Sequence, residues 1–275
     1  MTRFGMVLPG GTPGLQLDQA LVAERHGWDG IFLWEAGYGV DPWSLLGAMA
    51  ARTSRIRLGT MLTPLPWRRP WKVASQVVTV DQLSGGRAIL GVGIGALAPE
   101  LPATGEEEGL RERAEMLDEG IELMRTLWRG ESNFHGRHYR YSCQSGDLVG
   151  GAQPVQQPIP IWVVGVWPRP RSMRRALRCQ GVIPQYQLDD RAATPEDLRA
   201  LRAWLEDEGA PPGFDVIAEG ETPAGNPEAA AAQVAPWVDA GATWWLETRW
   251  ATPGDPAERD RLVTERLEAG PPKEP

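Results

Sequence analysis

Residues 81–95 read DQLSGGRAILGVGIG, and the apolar run 88–94 within this stretch decides the fold class. A continuously apolar run of this length is typical of a β-strand buried on both faces of a parallel sheet. A long helical pattern follows at 110–128. Its apolar residues recur every three or four positions, which gives one buried helix face; they are Ala114, Leu117, Ile121, Met124 and Trp128.

The same alternation of strand and helix patterns runs through the whole chain. Seven further short apolar runs are separated by helical patterns, at 3–8, 30–34, 56–62, 159–166, 182–186, 214–218 and 243–246. Four predicted helices begin with a capping side chain followed by proline, which suits the first helical position because it has no N–H to leave unpaired; these pairs are Asp41-Pro42, Thr194-Pro195, Asn226-Pro227 and Asp255-Pro256.

Eight strands alternating with helices in 275 residues predict a (β/α)8 TIM barrel, an α/β fold, as a single domain over 1–275. The segment 130–158 interrupts the alternation and is predicted to be an insertion between helix 4 and strand 5. A tail follows at 270–275. A doubly wound open sheet is the alternative architecture. In a barrel, functional residues lie at the carboxyl ends of the strands.

Charge and composition exclude several classes of function. The net charge of −8 disfavours binding to nucleic acid and to an anionic membrane surface. Only two lysines are present, so Schiff-base chemistry has few candidates. The chain has three histidines and two cysteines, and none of them has the spacing of metal ligands, so we predict no metal site. No run approaches the ~18 apolar residues of a membrane helix, and the N-terminal run is shorter than the ~7–15 residues of a secretory signal. We therefore expect a cytoplasmic protein.

The glycines of 91–96 match the dinucleotide-binding pattern GxGxxA. That motif needs a helix to begin inside it, so that the helix N-terminus can hold a pyrophosphate. Here no helical pattern begins before about Leu110. The glycines are better explained by close packing at the end of strand 4, or by the approach of a flat ligand to the backbone at the barrel mouth.

Tryptophan is unusually frequent, with 13 residues against four phenylalanines and four tyrosines. Several tryptophans at one mouth would form an apolar funnel for a flat ligand, whereas singly they would cap the barrel core. Five fall at or near predicted strand ends, namely Trp34, Trp67, Trp71, Trp167 and Trp250.

Stretch 81–95 resembles the luciferase-like flavin-dependent oxidoreductases and monooxygenases. Further stretches are similar in the same order along the chain, at 23–29, 41–43, 50–60, 69–72, 113–120, 127–130, 241–245 and 269–272. The resemblance implies a (β/α)8 barrel that binds FMN or the deazaflavin coenzyme F420, with the ring at the C-terminal mouth.

The resemblance also implies where the cofactor binds. A bulge after strand 3, which often contains a non-proline cis peptide, supports the ring and corresponds here to Thr60, Met61 and Leu62. Gly93 and Ile94 follow at the end of strand 4. In the family, the phosphate is held where the helix after strand 5 begins. A helix N-terminus with nearby arginines is also a suitable anion site on physical grounds. The corresponding residues here are Gly165, Val166, Trp167, Arg169, Arg171 and Ser172.

Two positions depart from the family pattern. Many relatives end strand 2 with a catalytic histidine, whereas this chain has Ala36 after Trp34 and Glu35. Luciferases proper have a phosphate-binding arginine at the position where this chain has Ile94. Glu35, beside Trp34, is the candidate for proton handling, with a structural hydrogen-bonding role as an equal alternative. Glu247 and Arg249 at the end of strand 8 are secondary catalytic candidates that could instead pair with each other.

The function expected from these features is a two-component monooxygenase. It would take reduced FMN from a separate flavin reductase and act with oxygen on a small apolar or aromatic substrate. Two alternatives remain open, an F420-dependent hydride-transfer dehydrogenase or reductase and a catalytically silent barrel that binds a flavin or small molecule. A homodimer is possible, and no nucleic acid or membrane partner is expected.

Overall fold

A computed structural model describes residues 1–95, 109–143, 153–188, 191–249 and 255–272. The strands are β1 (Arg3–Leu8), β2 (Gly30–Leu33), β3 (Arg57–Thr60), β4 (Thr63–Pro64), β5 (Ala88–Gly93), β6 (Asn133–His135), β7 (Arg140–Ser142), β8 (Ile161–Trp167), β9 (Gly181–Tyr186), β10 (Asp215–Gly220) and β11 (Trp244–Glu247). The helices are α1 (Pro13–Arg25), α2 (Pro42–Arg52), α3 (Pro70–Ser84), α4 (Leu110–Trp128), α5 (Pro170–Ala176), α6 (Pro195–Asp207), α7 (Pro227–Asp239) and α8 (Pro256–Glu268). A 3-10 turn spans Leu65–Trp67.

Eight parallel strands close into a barrel surrounded by the helices. The order around the barrel is β1, β2, β3, β5, β8, β9, β10 and β11, and β11 returns to pair with β1. The short strand β4 pairs with the upper end of β5. The predicted (β/α)8 fold is thus confirmed, and an open sheet is excluded. Within the described ranges, no helix combines the length and apolar character needed to cross a bilayer.

The predicted insertion contains an antiparallel hairpin made of β6 and β7. The Glu119 carboxylate on α4 anchors its turn by accepting hydrogen bonds from the backbone N–H groups of Arg137, His138 and Tyr139, at 2.8–3.1 Å. Residues 144–152 of the insertion lie outside the described residues.

The residues of 81–87 are structural. Gly85 and Gly86 have φ angles of 66° and 89°, and they end α3 in a left-handed turn that favours glycine. The buried Arg87 guanidinium donates to the carbonyl oxygens of Ser84, Thr53, Ile56 and Ala50. This side chain therefore ties the end of α2 and the start of β3 to the turn before β5.

Large aromatic rings fill the barrel interior. Phe32, Trp162 and Trp244 contact one another with centroid distances of 5.2–5.8 Å. The rings fit because facing strand positions are glycine, where an added Cβ would lie 2.6–2.9 Å from a ring atom; these positions are Gly5, Gly30, Gly59 and Gly181. The interior below the mouth is therefore packed with side chains.

Gly59→Ala tests this packing. The new Cβ would lie 2.7 Å from the Ile89 carbonyl oxygen and 2.9 Å from the Phe32 ring, so we expect the free energy of unfolding to fall by about 1–3 kcal/mol in urea titration. The matched control is Gly47→Ala on α2, where no atom lies within 4 Å. In a helix this change is expected to stabilise by about 0.5–1 kcal/mol. Equal stability of the two variants would contradict the packing account.

Candidate active site at the barrel mouth

Side-chain alternation shows which residues face the C-terminal mouth of the barrel. Ile183 on β9 and Ile217 on β10 belong to the interior cluster. Two residues further along each strand, Gln185 and Glu219 therefore face inward, and both are exposed. Val166 on β8 pairs with Gln185 and faces the same space. The β9–β10 side of the mouth is thus polar, whereas β8 contributes an apolar side chain.

The bulge after β3 lies where the resemblance places it. The Met61–Leu62 peptide bond is cis, and the Met61 N–H donates to the Leu33 carbonyl at 2.8 Å. Met61 belongs to the interior cluster, and Leu62 lies over Gly93, since an added Cβ there would be 3.0 Å from Leu62 Cδ2. These residues form an apolar surface at the mouth on the β3–β5 side.

Thr60 supports this bulge from the helix side of the sheet. Its side chain is fully buried, and its hydroxyl donates to the Gly91 carbonyl at 2.9 Å. An added Cβ at Gly91 would lie 2.1 Å from the Thr60 carbonyl oxygen. Close packing therefore accounts for this first glycine of 91–96, while Ala96 lies outside the described residues. The Thr60 side chain does not line the mouth, in contrast to the expectation of a direct cofactor contact.

Ile94 also departs from its expected role. Its side chain packs against the outer core between the barrel and the helices, one position out of phase with the inward-facing residues of β5. The Arg113 guanidinium on α4 donates to the carbonyl oxygens of Ile94 and Gly95 at 3.1 and 3.0 Å. Ile94 therefore packs behind the mouth, and its backbone is fixed by α4.

Two exposed arginines precede and open α5. Arg169 and Arg171 form no ion pair with any other described residue. The Ser172 hydroxyl accepts a hydrogen bond from the Val166 N–H at 2.9 Å, so it ties α5 to the end of β8. The positive charge predicted beside the mouth is present, and the Ser172 hydroxyl, which accepts from the backbone, keeps its own O–H as the predicted donor.

Gly165 and Trp167 face the helices, so the Trp167 ring does not line the mouth, whereas the approach of a ligand to the Gly165 backbone stays a prediction. An added Cβ at Gly165 would lie 2.7 Å from the Met173 sulfur, so glycine makes room for α5. The Trp167 ring packs against Trp204 on α6 at 5.9 Å. Both residues alternate with the inward-facing Val166 along β8.

The predicted tryptophan funnel contains fewer rings than expected. Trp34 follows the inward-facing Phe32 by two positions and is 41% exposed, and Trp67 is 36% exposed. Trp71 instead lies near Tyr141 of the hairpin at 6.4 Å, and Trp250 lies outside the described residues. Trp34 and Trp67 thus remain candidates for the rim of the site.

Glu35 is held behind the mouth. Its carboxylate accepts a hydrogen bond from Arg68 Nε at 2.5 Å, and Arg68 Nη2 also donates to Asp41 at 2.8 Å. The Glu35 side chain is 8% exposed. Burial raises the pKa of the Glu35 carboxyl, while the Arg68 guanidinium opposes that rise. The geometry favours the structural alternative, in which Glu35 positions the segment after the bulge.

Glu247 and Arg249 form a buried network on the helix side of β11, which corrects their prediction as catalytic residues. Glu247 alternates with the interior residues Trp244 and Leu246, so it faces away from the mouth. Its carboxylate accepts from the Thr222 N–H at 2.6 Å and lies 3.4 Å from Arg249 and 3.7 Å from Arg266. Burial raises the pKa of Glu247, against the effect of Thr222 and Arg266.

Gln185 and Glu219 were missed among the candidate residues. Each stands two positions beyond a buried isoleucine, so counting alternate residues past Ile183 and Ile217 would have indicated them. Across the part of the chain that the structure describes, no three His, Cys, Asp or Glu side chains are grouped so as to hold a metal ion.

Arg68→Ala tests the tether to Glu35. Removing Arg68 leaves the buried carboxylate without its cation, so its pKa in the folded state rises further above the usual 4.5. Folding then favours the protonated acid, and stability falls as pH rises above that value. At pH 8 we expect the free energy of unfolding to fall by about 2 kcal/mol, and at pH 5 by less. Breaking a fully buried ion pair costs more, ~3–5 kcal/mol.

Urea titrations at both pH values measure this effect. The control is Arg174→Ala on α5, which breaks an exposed pair with Glu208 and is expected to change stability little at either pH. A pH-independent loss in Arg68→Ala would show that Glu35 does not carry a buried charge.

Two curated relatives are more than one-third identical to this chain over the aligned residues. It is 37% identical over 158 residues to the F420-dependent glucose-6-phosphate dehydrogenase of Segniliparus rotundus, an alignment that covers 54% of this chain and 46% of the relative. It is 38% identical over 161 residues to the protein of that name in Nakamurella multipartita, with 55% and 46% covered. The chain spans about half the length of these curated relatives.

Solved structures match over nearly the full chain. An F420-dependent secondary alcohol dehydrogenase in complex with an F420–acetone adduct has a TM-score of 0.74, 17% identity and 98% coverage of both chains. The oxygenating constituent of 3,6-diketocamphane monooxygenase from Pseudomonas putida, in complex with FMN, has a TM-score of 0.71, 17% identity and coverage of 100% and 99%. At this identity the likeness establishes the fold.

The sequence profile described as luciferase-like monooxygenase matches residues 2–271, nearly the whole chain. The fold and the bulge with its cis Met61–Leu62 peptide agree with the resemblance noted in the sequence. The chain therefore belongs to the luciferase-like monooxygenase family.

Proposed function

We propose that this protein is an oxidoreductase that uses the deazaflavin coenzyme F420 for hydride transfer at the barrel mouth. The observation that carries the proposal is the 37–38% identity to relatives named F420-dependent glucose-6-phosphate dehydrogenases. A two-component FMN monooxygenase, the function first expected, has weaker support, because the relatives at 37–38% identity are named for F420 and FMN is named only for a structure at 17% identity.

The residues at the mouth fit a flat, phosphate-bearing coenzyme. Met61, Leu62 and Val166 offer an apolar surface, and glycine at position 93 leaves space that Leu62 occupies. Arg169 and Arg171 are exposed near the end of β8, on the same side. Arginine forms charge-assisted hydrogen bonds to phosphate, which are stronger than neutral ones. We assign the ring to the apolar surface and the phosphate to these arginines.

The remaining residues of the site hold and shield this arrangement. The Glu35–Arg68–Asp41 tether fixes the segment between the bulge and α3. Trp34 and Trp67, at the rim, would limit the access of water to a bound ring. The polar β9–β10 side of the mouth would accommodate a substrate beside the coenzyme, whose own chemistry is hydride transfer.

The choice of coenzyme is tested by titrating the protein with F420 and with FMN, followed by fluorescence. We expect tighter binding of F420, and reduction of F420 by an alcohol substrate without oxygen uptake. Tighter binding of reduced FMN, with substrate-dependent oxygen uptake, would support the monooxygenase instead. Binding of F420 without turnover of any alcohol would favour the catalytically silent barrel. That alternative was kept open because alanine stands at position 36, where many relatives have a catalytic histidine.

Arg171→Ala tests the phosphate site. Loss of a hydrogen bond to a charged group is expected to weaken F420 binding about tenfold. Arg174→Ala removes the same charge from the same helix, but Arg174 pairs with Glu208 at 2.7 Å. The dissociation constant of this variant for F420 should therefore stay close to that of the unmodified protein. Equal effects of the two substitutions would place the phosphate elsewhere.

A further inference from the structure

A cavity of about 180 Å³ lies at the N-terminal end of the barrel, at the other end from the candidate active site. Three arginines line it: Arg3 begins β1, Arg57 begins β3, and Arg55 lies two residues before β3. The side chains of Glu24 and Asp29 line it as well. We call Arg3, Arg55 and Arg57 the lower arginine cluster.

The two carboxylates of the cavity are held by backbone N–H groups. Glu24 Oε1 accepts hydrogen bonds from the N–H groups of residues 54–56 at 2.6–3.1 Å. Asp29 Oδ2 accepts from the Phe4 N–H at 2.8 Å. In the part of the chain that the structure describes, neither carboxylate forms an ion pair with the lower arginine cluster, so the three positive charges are not matched by contact with these acids.

The guanidinium groups of the lower arginine cluster keep most of their donors. The Arg3 guanidinium lies 5.6 Å from the centroid of the Trp244 ring and has no hydrogen bond or ion pair with any other described residue. Arg57 Nη1 donates to Gln156 Oε1 at 3.5 Å, beyond the usual ~2.7–3.2 Å. Arg55 Nη2 donates to a backbone carbonyl near the end of α1 at 2.9 Å. Since each guanidinium has several N–H donors, the cluster can bind a further acceptor.

Like charges act on one another within this cluster. Burial lowers the pKa of the Arg57 guanidinium, and the charge of Arg3 lowers it further. Asp215 and Asp29 attract Arg57, but each has a smaller effect than Arg3. An anion bound between the guanidinium groups would offset this repulsion.

We propose that the lower arginine cluster binds a small tetrahedral dianion of the phosphate class. Arginine suits this ligand because its planar guanidinium forms paired, charge-assisted hydrogen bonds with phosphate oxygens. The cavity is smaller than the ~300–1,000 Å³ of pockets that enclose a drug-sized molecule. It therefore takes free phosphate, or the phosphate group of an ester whose remainder lies in solvent. This site is independent of the proposed coenzyme site at the mouth.

The test uses the double variant Arg169→Ala/Arg171→Ala, which removes the cations assigned to the coenzyme. Calorimetric titration of this variant with inorganic phosphate, at constant ionic strength, should show one bound ion. Adding Arg3→Ala or Arg55→Ala, both at exposed positions, should weaken binding about tenfold through the loss of hydrogen bonds to a charged ligand. The control is Arg52→Ala at the exposed end of α2, outside the cavity, which should leave the dissociation constant unchanged.

The same titration with glycerol 3-phosphate distinguishes the two sources of the phosphate group. Binding of both ligands assigns the site to a phosphate ester, whereas binding of inorganic phosphate alone assigns it to the free ion. Either result supports the proposal when Arg3→Ala weakens the binding and Arg52→Ala does not.

Three results would overturn the proposal. They are the absence of phosphate binding in the double variant, equal losses in Arg3→Ala and Arg52→Ala, and a rise in the urea midpoint that sodium chloride of the same ionic strength reproduces. F420 is titrated separately against the single variant Arg3→Ala, whose dissociation constant should equal that of the unmodified protein. A tenfold loss of F420 affinity there would assign the cluster to the coenzyme and refute a second site.

Discussion

The packing of Phe32, Trp162 and Trp244 inside the barrel is the constraint on which the rest of the structure depends. Their rings contact one another only because glycines on β1, β2, β3 and β9 leave space. Trp162 Nε1 also donates to Asp215 at 3.1 Å, which fixes its ring at the lower end of the barrel. Close packing of this kind fills the barrel interior, so we expect a ligand of the barrel to lie at its mouth rather than inside it.

Arginine is used mainly to fix the backbone around this barrel. Of 28 basic residues only two are lysines, and Arg87 and Arg113 bind carbonyl oxygens at the ends of helices and strands. Arginine suits this role because its planar guanidinium offers several donors in fixed directions. With so many guanidinium groups committed to the fold, Arg169 and Arg171 stand out as exposed cations beside the mouth.

The alternation of apolar runs and helices was enough to predict the barrel. Strand β1 and helix α4 have the bounds expected from the sequence, and the cis bulge lies where the resemblance implied. The site was harder to predict, because a shift of one residue along a strand turns a side chain from the mouth to the helices. This explains why Trp167 and Glu247 face the helices rather than the mouth, and counting from buried isoleucines would have indicated Gln185 and Glu219.

The Glu35 interaction could not have been read from the sequence. Its partner Arg68 lies 33 residues away, and the two meet only once the bulge has returned the chain towards β2. The sequence singled out Glu35 because it precedes Ala36, the position of the missing histidine. Its burial and its direction depend on long-range packing, which favours the positioning role over the catalytic one.

A crystal structure of the protein with bound F420 would test the central claim most directly, because it locates the ligand relative to the packed interior. We predict that the deazaflavin ring lies against Met61, Leu62 and Val166, with its phosphate near Arg169 and Arg171. Density for the coenzyme on another face of the barrel, or a phosphate bound away from both arginines, would contradict this account.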